Sequence, residues 1–150
     1  MKQEIITNSA EETRLAAAAL AKKLKTGDVV LLQGNLGAGK TVFVKGILEA
    51  MGFPPDEVRS PTFTLVREYK SKLNTVFHLD LYRIQCGEEL FQMGYEDYIH
   101  SPRGISLIEW AEKIDGLVPE FIKVNIDYLG PESRRIIIEN KEQELAEDER

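Results

Sequence analysis

Residues 29–41 constrain this chain more than any other stretch. Val29-Val30-Leu31-Leu32 is a short, continuously apolar run bounded by Asp28 and Gly34. Such runs read as strands buried on both faces, as in a parallel sheet. Gly34-Asn35-Leu36-Gly37-Ala38-Gly39-Lys40-Thr41 follows at once and fits G-x-x-x-x-G-K-[ST] at every fixed position. A helical pattern then runs from Lys40 to about Met51, closed by Gly52 and Pro54-Pro55. Strand, glycine loop and helix in that order are what a phosphate-binding loop requires. The glycines let backbone N–H groups converge on phosphate oxygens without Cβ clashes, and the helix N-terminus adds favourable partial charge. In such a loop Lys40 bridges the β- and γ-phosphates and the Thr41 hydroxyl ligates Mg²⁺. A second threonine, at position 42, is not present: the residue there is Val42, so Thr41 is the hydroxyl of the motif. A glycine-rich turn with an incidental lysine does not account for the flanking strand and helix. The motif marks a nucleotide site.

The remaining pattern fits one α/β domain. Ser9-Ala10-Glu11-Glu12 carries a capping box, with Ser at the N-cap and Glu three residues on. The helix it opens runs to about Leu24, with Leu15, Ala18, Ala19 and Lys22 at helical spacing, and Thr26-Gly27-Asp28 stops it. Thr62 to Tyr69 and Val76 to Leu81 read as strands joined by the polar turn Lys70 to Asn74, an antiparallel hairpin. Short helical stretches near Glu88 to Gln92 and Tyr95 to Ile99 precede a second short apolar strand, Ile105 to Ile108. Two late strands, Lys123 to Tyr128 and Arg134 to Glu139, flank Gly130-Pro131. At 150 residues the chain has room for one domain, taken as 1–140, followed by a charged tail over 141–150.

Charge and cysteine usage narrow the function classes. A net charge of -6 argues against a protein whose main work is gripping a nucleic-acid backbone. One cysteine, Cys86, excludes an internal disulfide framework and any multi-Cys zinc site. The N-terminal Met1-Lys2-Gln3-Glu4 has no apolar region behind its lysine, and Lys22, Lys23 and Lys25 interrupt the apolar stretch from Leu15. The expectation is a cytoplasmic protein without a membrane span. Guanine-reading loops use Asn-Lys-x-Asp; the nearest string here, Asn140-Lys141-Glu142-Gln143, lacks the Asp. ATP is the expected nucleotide.

Two carboxylates compete for the second acidic role. Asp80 ends the run Phe77-His78-Leu79, and Glu109 ends Ile105-Ser106-Leu107-Ile108. A carboxylate at the carboxyl end of a buried parallel strand points into the crevice where α/β proteins bind ligands. One should serve the metal, the other the attacking water or a switch contact, and spacing does not say which. Ser60-Pro61-Thr62-Phe63-Thr64 presents three hydroxyls suited to sensing a γ-phosphate, or simply to capping a turn. His78 and Cys86 read as structural, and Trp110 is either a core anchor or an exposed contact.

Taken together, the phosphate loop, Ser60-Pro61-Thr62-Phe63-Thr64-Leu65, His78-Leu79-Asp80-Leu81-Tyr82-Arg83 and Glu109-Trp110 resemble the TsaE (YjeE) family of bacterial ATPases in order and spacing. These act in tRNA threonylcarbamoyladenosine (t6A) biosynthesis. The resemblance spans Ser9 to Tyr128. One departure is Asn35, where the family usually carries an acid. The resemblance implies a small P-loop NTPase domain with a central mixed β-sheet flanked by helices. It implies Mg²⁺ on Thr41 and Glu109, and Asp80 near the nucleotide. Thr62 and Thr64 would form part of a switch, and the adenine would lie near Ser9 to Thr13. It also implies an arginine beside the phosphates, here Arg134 or Arg135. Gly37, Ala38, Gly39, Lys40 and Thr41 would cradle ATP, with Glu109, Asp80, Lys40 and Thr62 as the catalytic set. Family members act with TsaD and TsaB, in a pathway shared with TsaC, and meet tRNA only indirectly. Their hydrolysis is thought to reset the TsaD–TsaB complex without transferring the threonylcarbamoyl group. Two rivals from other classes are a small-molecule kinase, for which few residues are left to build a lid and acceptor pocket, and a nucleotide-gated adaptor that never turns ATP over.

Overall fold

The computed structural model describes residues 2–35, 39–58, 65–114 and 116–142. Within them the elements are β1 (Lys2–Thr7), α1 (Ala10–Ala21), β2 (Val29–Gln33), α2 (Lys40–Ala50), β3 (Val66–Lys70), β4 (Thr75–Asp80), α3 (Gly87–Met93), β5 (Ile105–Glu109), β6 (Glu120–Tyr128) and β7 (Arg134–Glu142). The strands form one seven-stranded sheet in the order β1-β7-β6-β2-β5-β4-β3. β2 pairs in parallel with β5 and β6, and β5 pairs in parallel with β4. The pairs at the two ends, β3–β4, β6–β7 and β1–β7, are antiparallel. The mixed α/β sheet expected from the sequence is the one observed.

Its centre follows from the apolar runs. Every residue from Val29 to Leu32 and from Ile105 to Glu109 is buried, as strands covered on both faces must be. Alternation divides them between two cores. Val30, Leu32 and Leu107 pack with Ala17 and Leu20 of α1 and Phe43, Val44 and Ile47 of α2. Val29, Leu31, Phe77, Leu79 and Ile108 pack on the other face with Leu90 of α3, Ala111, Ile114 and Val118. The β3–β4 hairpin closes where the Ser71 N–H donates to the Asn74 carbonyl at 2.8 Å, inside the turn expected there.

Several expectations need correction. α1 ends at Ala21 rather than Leu24, because the N–H groups of Lys23 and Leu24 turn to the carbonyls of Leu20 and Ala21, three residues back. Its buried face is Thr13, Ala17, Leu20 and Ala21, while Leu15 is 64% exposed, so the stripe through Leu15 is not the buried one. Small residues decide that face, since α1 must come close to α2. β3 begins at Val66, not Thr62, because Leu65 adopts a left-handed φ of 64° that no strand continues; residues 62–64 lie outside the described residues. β1 escaped the sequence reading altogether. It is an edge strand with one buried side chain, Thr7, and so carries almost no periodic signal. β7 runs on to Glu142, and the rest of the charged tail lies outside the described residues.

The α1–α2 contact rests on Gly46. A Cβ there would lie 2.8 Å from both the Ala17 Cβ and the Arg14 carbonyl oxygen, and 3.0 Å from the Arg14 Cα. Two of those three are backbone atoms, which cannot swing aside. Gly46→Ala should therefore destabilise the protein by about 1–3 kcal/mol, although alanine is otherwise the better helix former. Urea unfolding measures this, and an unchanged midpoint would mean that the two helices part easily.

A candidate nucleotide-binding site

Parallel pairing sets the groups of interest side by side. Leu32 of β2 stands opposite Glu109 of β5, and Glu109 stands opposite Asp80 of β4. Both carboxylates therefore lie in one row at the carboxyl ends of neighbouring strands, where ligands bind in open α/β sheets. β2 leads into the glycine loop at Gly34, and the chain re-enters regular structure at Gly39, the N-cap of α2. Gly39 has φ 107° and ψ 16°, a left-handed conformation that favours glycine. Gly37 and Ala38 lie outside the described residues, as do Ser60, Thr62 and Thr64.

Lys40 is the first residue of α2 and only 5% exposed. Its Nζ donates to the Gly34 carbonyl at 2.6 Å and sits 3.6 Å from the centroid of the Trp110 ring. Burial pushes its ammonium below the usual lysine range, and the charges of Glu109, Glu112 and Asp80 pull it back up. Thr41, next on the helix, has an exposed side chain. Position 42 drops out of the nucleotide-binding set. The residue there is Val42, not a threonine, and its half-buried apolar side chain has no hydroxyl to offer a metal or a phosphate. Trp110 follows Glu109 directly with a left-handed φ of 58°, and its ring packs against Tyr82 with centroids 4.9 Å apart. That conformation costs a bulky residue energy, and such outliers gather at functional sites. The open alternative for Trp110 resolves as neither core nor free surface. Its ring stacks on the phosphate-loop lysine.

The two carboxylates differ in their partners. Asp80 accepts a hydrogen bond from the Tyr82 N–H at 3.0 Å. Burial nonetheless holds its carboxyl above the usual aspartate range; Glu109 adds to that, while the Tyr82 N–H, His78 and Lys40 oppose it. Glu109 is 4% exposed and its Oε2 lies 2.6 Å from Nε2 of His78, itself 1% exposed. His78, read from the sequence as structural, thus touches the site. The signal was present in Phe77-His78-Leu79-Asp80, because period two places His78 on the same face as Asp80.

The arginines separate by strand alternation. Arg134 lies beside the loop: a Cβ at Gly39 would be 3.5 Å from its Nε. Its guanidinium donates to the carbonyls of Gly130 and Ser133 and stacks on Tyr128. Arg135 pairs with Glu4 of β1 instead, at 3.1 Å. Ser9 Oγ accepts from the Glu12 N–H, and Glu12 returns a bond to the Asn8 N–H, one residue earlier than a capping box would. Thr13 Oγ1 is buried against Thr7 Oγ1 at 2.7 Å. The Ser9 hydroxyl is thus occupied in starting α1 and that of Thr13 in tying it to β1. A cavity of about 1000 Å³ lies elsewhere, at the amino ends of β2 and β6 beside Leu20, Lys25 and Phe121. It contains none of the phosphate-loop chemistry.

A metal ion fits the donors present. Among the described residues no three His, Cys, Asp or Glu side chains cluster as a protein-only cage. One hydroxyl and one or two carboxylates beside a phosphate site suit Mg²⁺, which keeps several waters and leans on substrate oxygens. No helix among the described residues is long and apolar enough to cross a membrane.

A central parallel sheet that feeds a glycine loop and a buried lysine, with two carboxylates in the adjoining crevice, defines a small P-loop α/β protein. Residues 7–137 match the family described as threonylcarbamoyl adenosine biosynthesis protein TsaE. The tRNA threonylcarbamoyladenosine biosynthesis protein TsaE of Rickettsia felis is 39% identical over 146 residues, covering 95% of this chain and 84% of its own. That of Bacillus subtilis is 39% identical over 131 residues, covering 87% and 80%. The crystal structure of Bacillus subtilis YdiB superposes with a TM-score of 0.77 at 32% identity, covering 95% of this chain and 87% of that one. The chain belongs to the TsaE family.

The direction of the Asp80 shift makes a stability prediction. A carboxyl whose folded value lies above its unfolded value of 3.8 destabilises the fold when ionised, and that cost vanishes below the unfolded value. Asp80→Asn keeps the acceptor for the Tyr82 N–H and removes the charge. The variant should melt at a higher temperature than the parent at pH 7, and the two should converge as the pH falls towards about 4. A lower melting temperature at pH 7 would show that Asp80 is net stabilised by its neighbours.

Proposed function

We propose that this protein binds ATP with Mg²⁺ in the phosphate loop and hydrolyses it in tRNA t6A37 modification. Hydrolysis would reset a TsaD–TsaB threonylcarbamoyl-transferase complex, and the group transfer itself would not happen here. The observation that carries the reading is the buried ammonium of Lys40, held at the start of α2 within reach of the Glu109, Glu112 and Asp80 charges. A cation so costly to bury has a use beyond packing.

The chain's own groups divide the work as follows. The N–H groups at the start of α2 and the Lys40 ammonium hold the phosphates, the ammonium leaving the Gly34 carbonyl and the Trp110 ring to do so. Thr41 and Glu109 would hold the Mg²⁺, which supplies charge neutralisation on the phosphate oxygens when bound. Glu109 also orients the attacking water, and Asp80 supports nucleotide binding beside it. Arg134, next to Gly39, adds a second cation at the loop. Thr62 belongs to a segment that would sense the γ-phosphate, and the adenine would lie near the Ser9 to Thr13 segment. Phosphoryl transfer of this kind depends mainly on positioning and on neutralising charge, which these groups can supply. The acidic composition agrees with a protein that meets tRNA only through its partners.

Incubation with labelled ATP, first alone and then with TsaD and TsaB, tests the reading. Phosphate should be released when the partners are present. Label on a metabolite would instead make the protein a kinase, and tight binding with no release would make it an adaptor. In the same assay Glu109→Gln should lower turnover by on the order of 10²-fold or more while ATP binding persists. Near-normal release from that variant would move the catalytic role to Asp80 or the switch threonines.

Lys40→Ala tests the loop itself. It removes the side-chain cation and leaves the backbone donors, so ATP binding should weaken by about 2–4 kcal/mol in calorimetry. Unchanged affinity would remove the phosphate-loop assignment.

A further inference from the structure

We propose that His78 is the positioning residue for Glu109, its Nε2–H holding one carboxylate oxygen so that the other keeps a fixed direction in the site. The inference rests on the reading of Glu109 as the group that orients the attacking water. His78 and Glu109 are 31 residues apart in the chain and on different strands, yet Nε2 and Oε2 approach to 2.6 Å with both side chains almost wholly buried. That is a short, charge-assisted hydrogen bond, roughly twice as strong as a neutral one. It acts on the torsion a glutamate most needs fixed, because the terminal rotation of a carboxylate is broad and soft when free.

The other ring nitrogen makes the role specific. Nδ1 of His78 is buried and has no hydrogen-bond partner among the described residues. A histidine placed only to fill the space between Val76 and Asp80 would leave that nitrogen at a desolvation cost that an apolar residue avoids. The cost is tolerated where the first nitrogen performs a task. The direction of the bond follows from the partner: a carboxylate only accepts, so in the proposed role the ring carries its N–H on Nε2 and donates to Glu109, leaving Nδ1 as the unpartnered atom. Asp80, the other carboxylate on this face, takes its bond from the Tyr82 backbone and does not compete for the ring.

Three variants and one spectrum test this. His78→Leu removes the donor at similar volume, and His78→Asn keeps polarity but is too short to reach. His78→Gln places an amide N–H near the position of Nε2. In partner-stimulated phosphate release, the Leu and Asn variants should lose about 10- to 100-fold in kcat, the range for removing the group that orients a functional ligand. KM and ATP affinity should stay within about twofold, since the phosphates are held elsewhere. Gln should recover most of the rate, and in a Glu109→Gln background His78→Leu should add no further loss. Independently of turnover, a long-range ¹H–¹⁵N spectrum reports the tautomer. The chain has two histidines, so a His100→Gln sample assigns the signals. His78 should carry its proton on Nε2, and Glu109→Gln should move that resonance. A parent protein without turnover would sink the ATPase reading and this role with it. A working parent whose Leu and Asn variants keep full kcat, or a His78 protonated on Nδ1 alone, would overturn the positioning role while leaving the ATPase reading intact.

Discussion

Everything at the site depends on the immobility of β2. The strand has hydrogen-bonded neighbours on both sides and packed layers on both faces, so neither translation nor twist is open to it. The chain leaving it at Gly34 therefore starts the phosphate loop from a fixed point. α2 receives the chain at Lys40 and is itself pinned by Phe43, Val44 and Ile47 in the core. Fixed flanks reduce the entropy that binding must remove, which is one way a site gains affinity.

The same burial sets the electrostatic character of the site. Lys40 loses hydration and regains only part of it from Glu109, Glu112 and Asp80, while Asp80 is disfavoured in its charged form by burial and by Glu109. The aromatic ring of Trp110 and the Gly34 carbonyl provide the lysine with a resting place. A cation over an aromatic face is worth on the order of 1–2 kcal/mol when desolvated. Stability is given up here and recovered in the two apolar cores, as functional sites commonly require.

The helices on the α1–α2 face serve the same geometry by coming close. Ala17 and Gly46 leave no room for larger side chains between them, and both helices pack on the same face of the sheet. At the far side of the loop, β7 brings Arg134 back beside Gly39 by pairing with β6 through a full nine-residue register. The membership of the TsaE family, drawn from matches across most of the chain, is consistent with a site assembled from so many separate segments.

Local chemistry was enough to settle the elements whose signal is local. Val29 to Leu32 and the helix from Lys40 were readable because an apolar run and a 3.6-residue period each act within a few residues. The β3–β4 hairpin was readable for the same reason, while β1, an edge strand with one buried residue, had no such signal to give. Which of Arg134 and Arg135 meets the loop was not readable, since adjacent residues on a strand differ only in the face that the sheet assigns them. Nor was the bond from His78 to Glu109, because strands 31 residues apart acquire a register only when β4 and β5 pair. Sequence patterns report which side of a strand is buried. The distance between two side chains on different strands exists only once the sheet has formed.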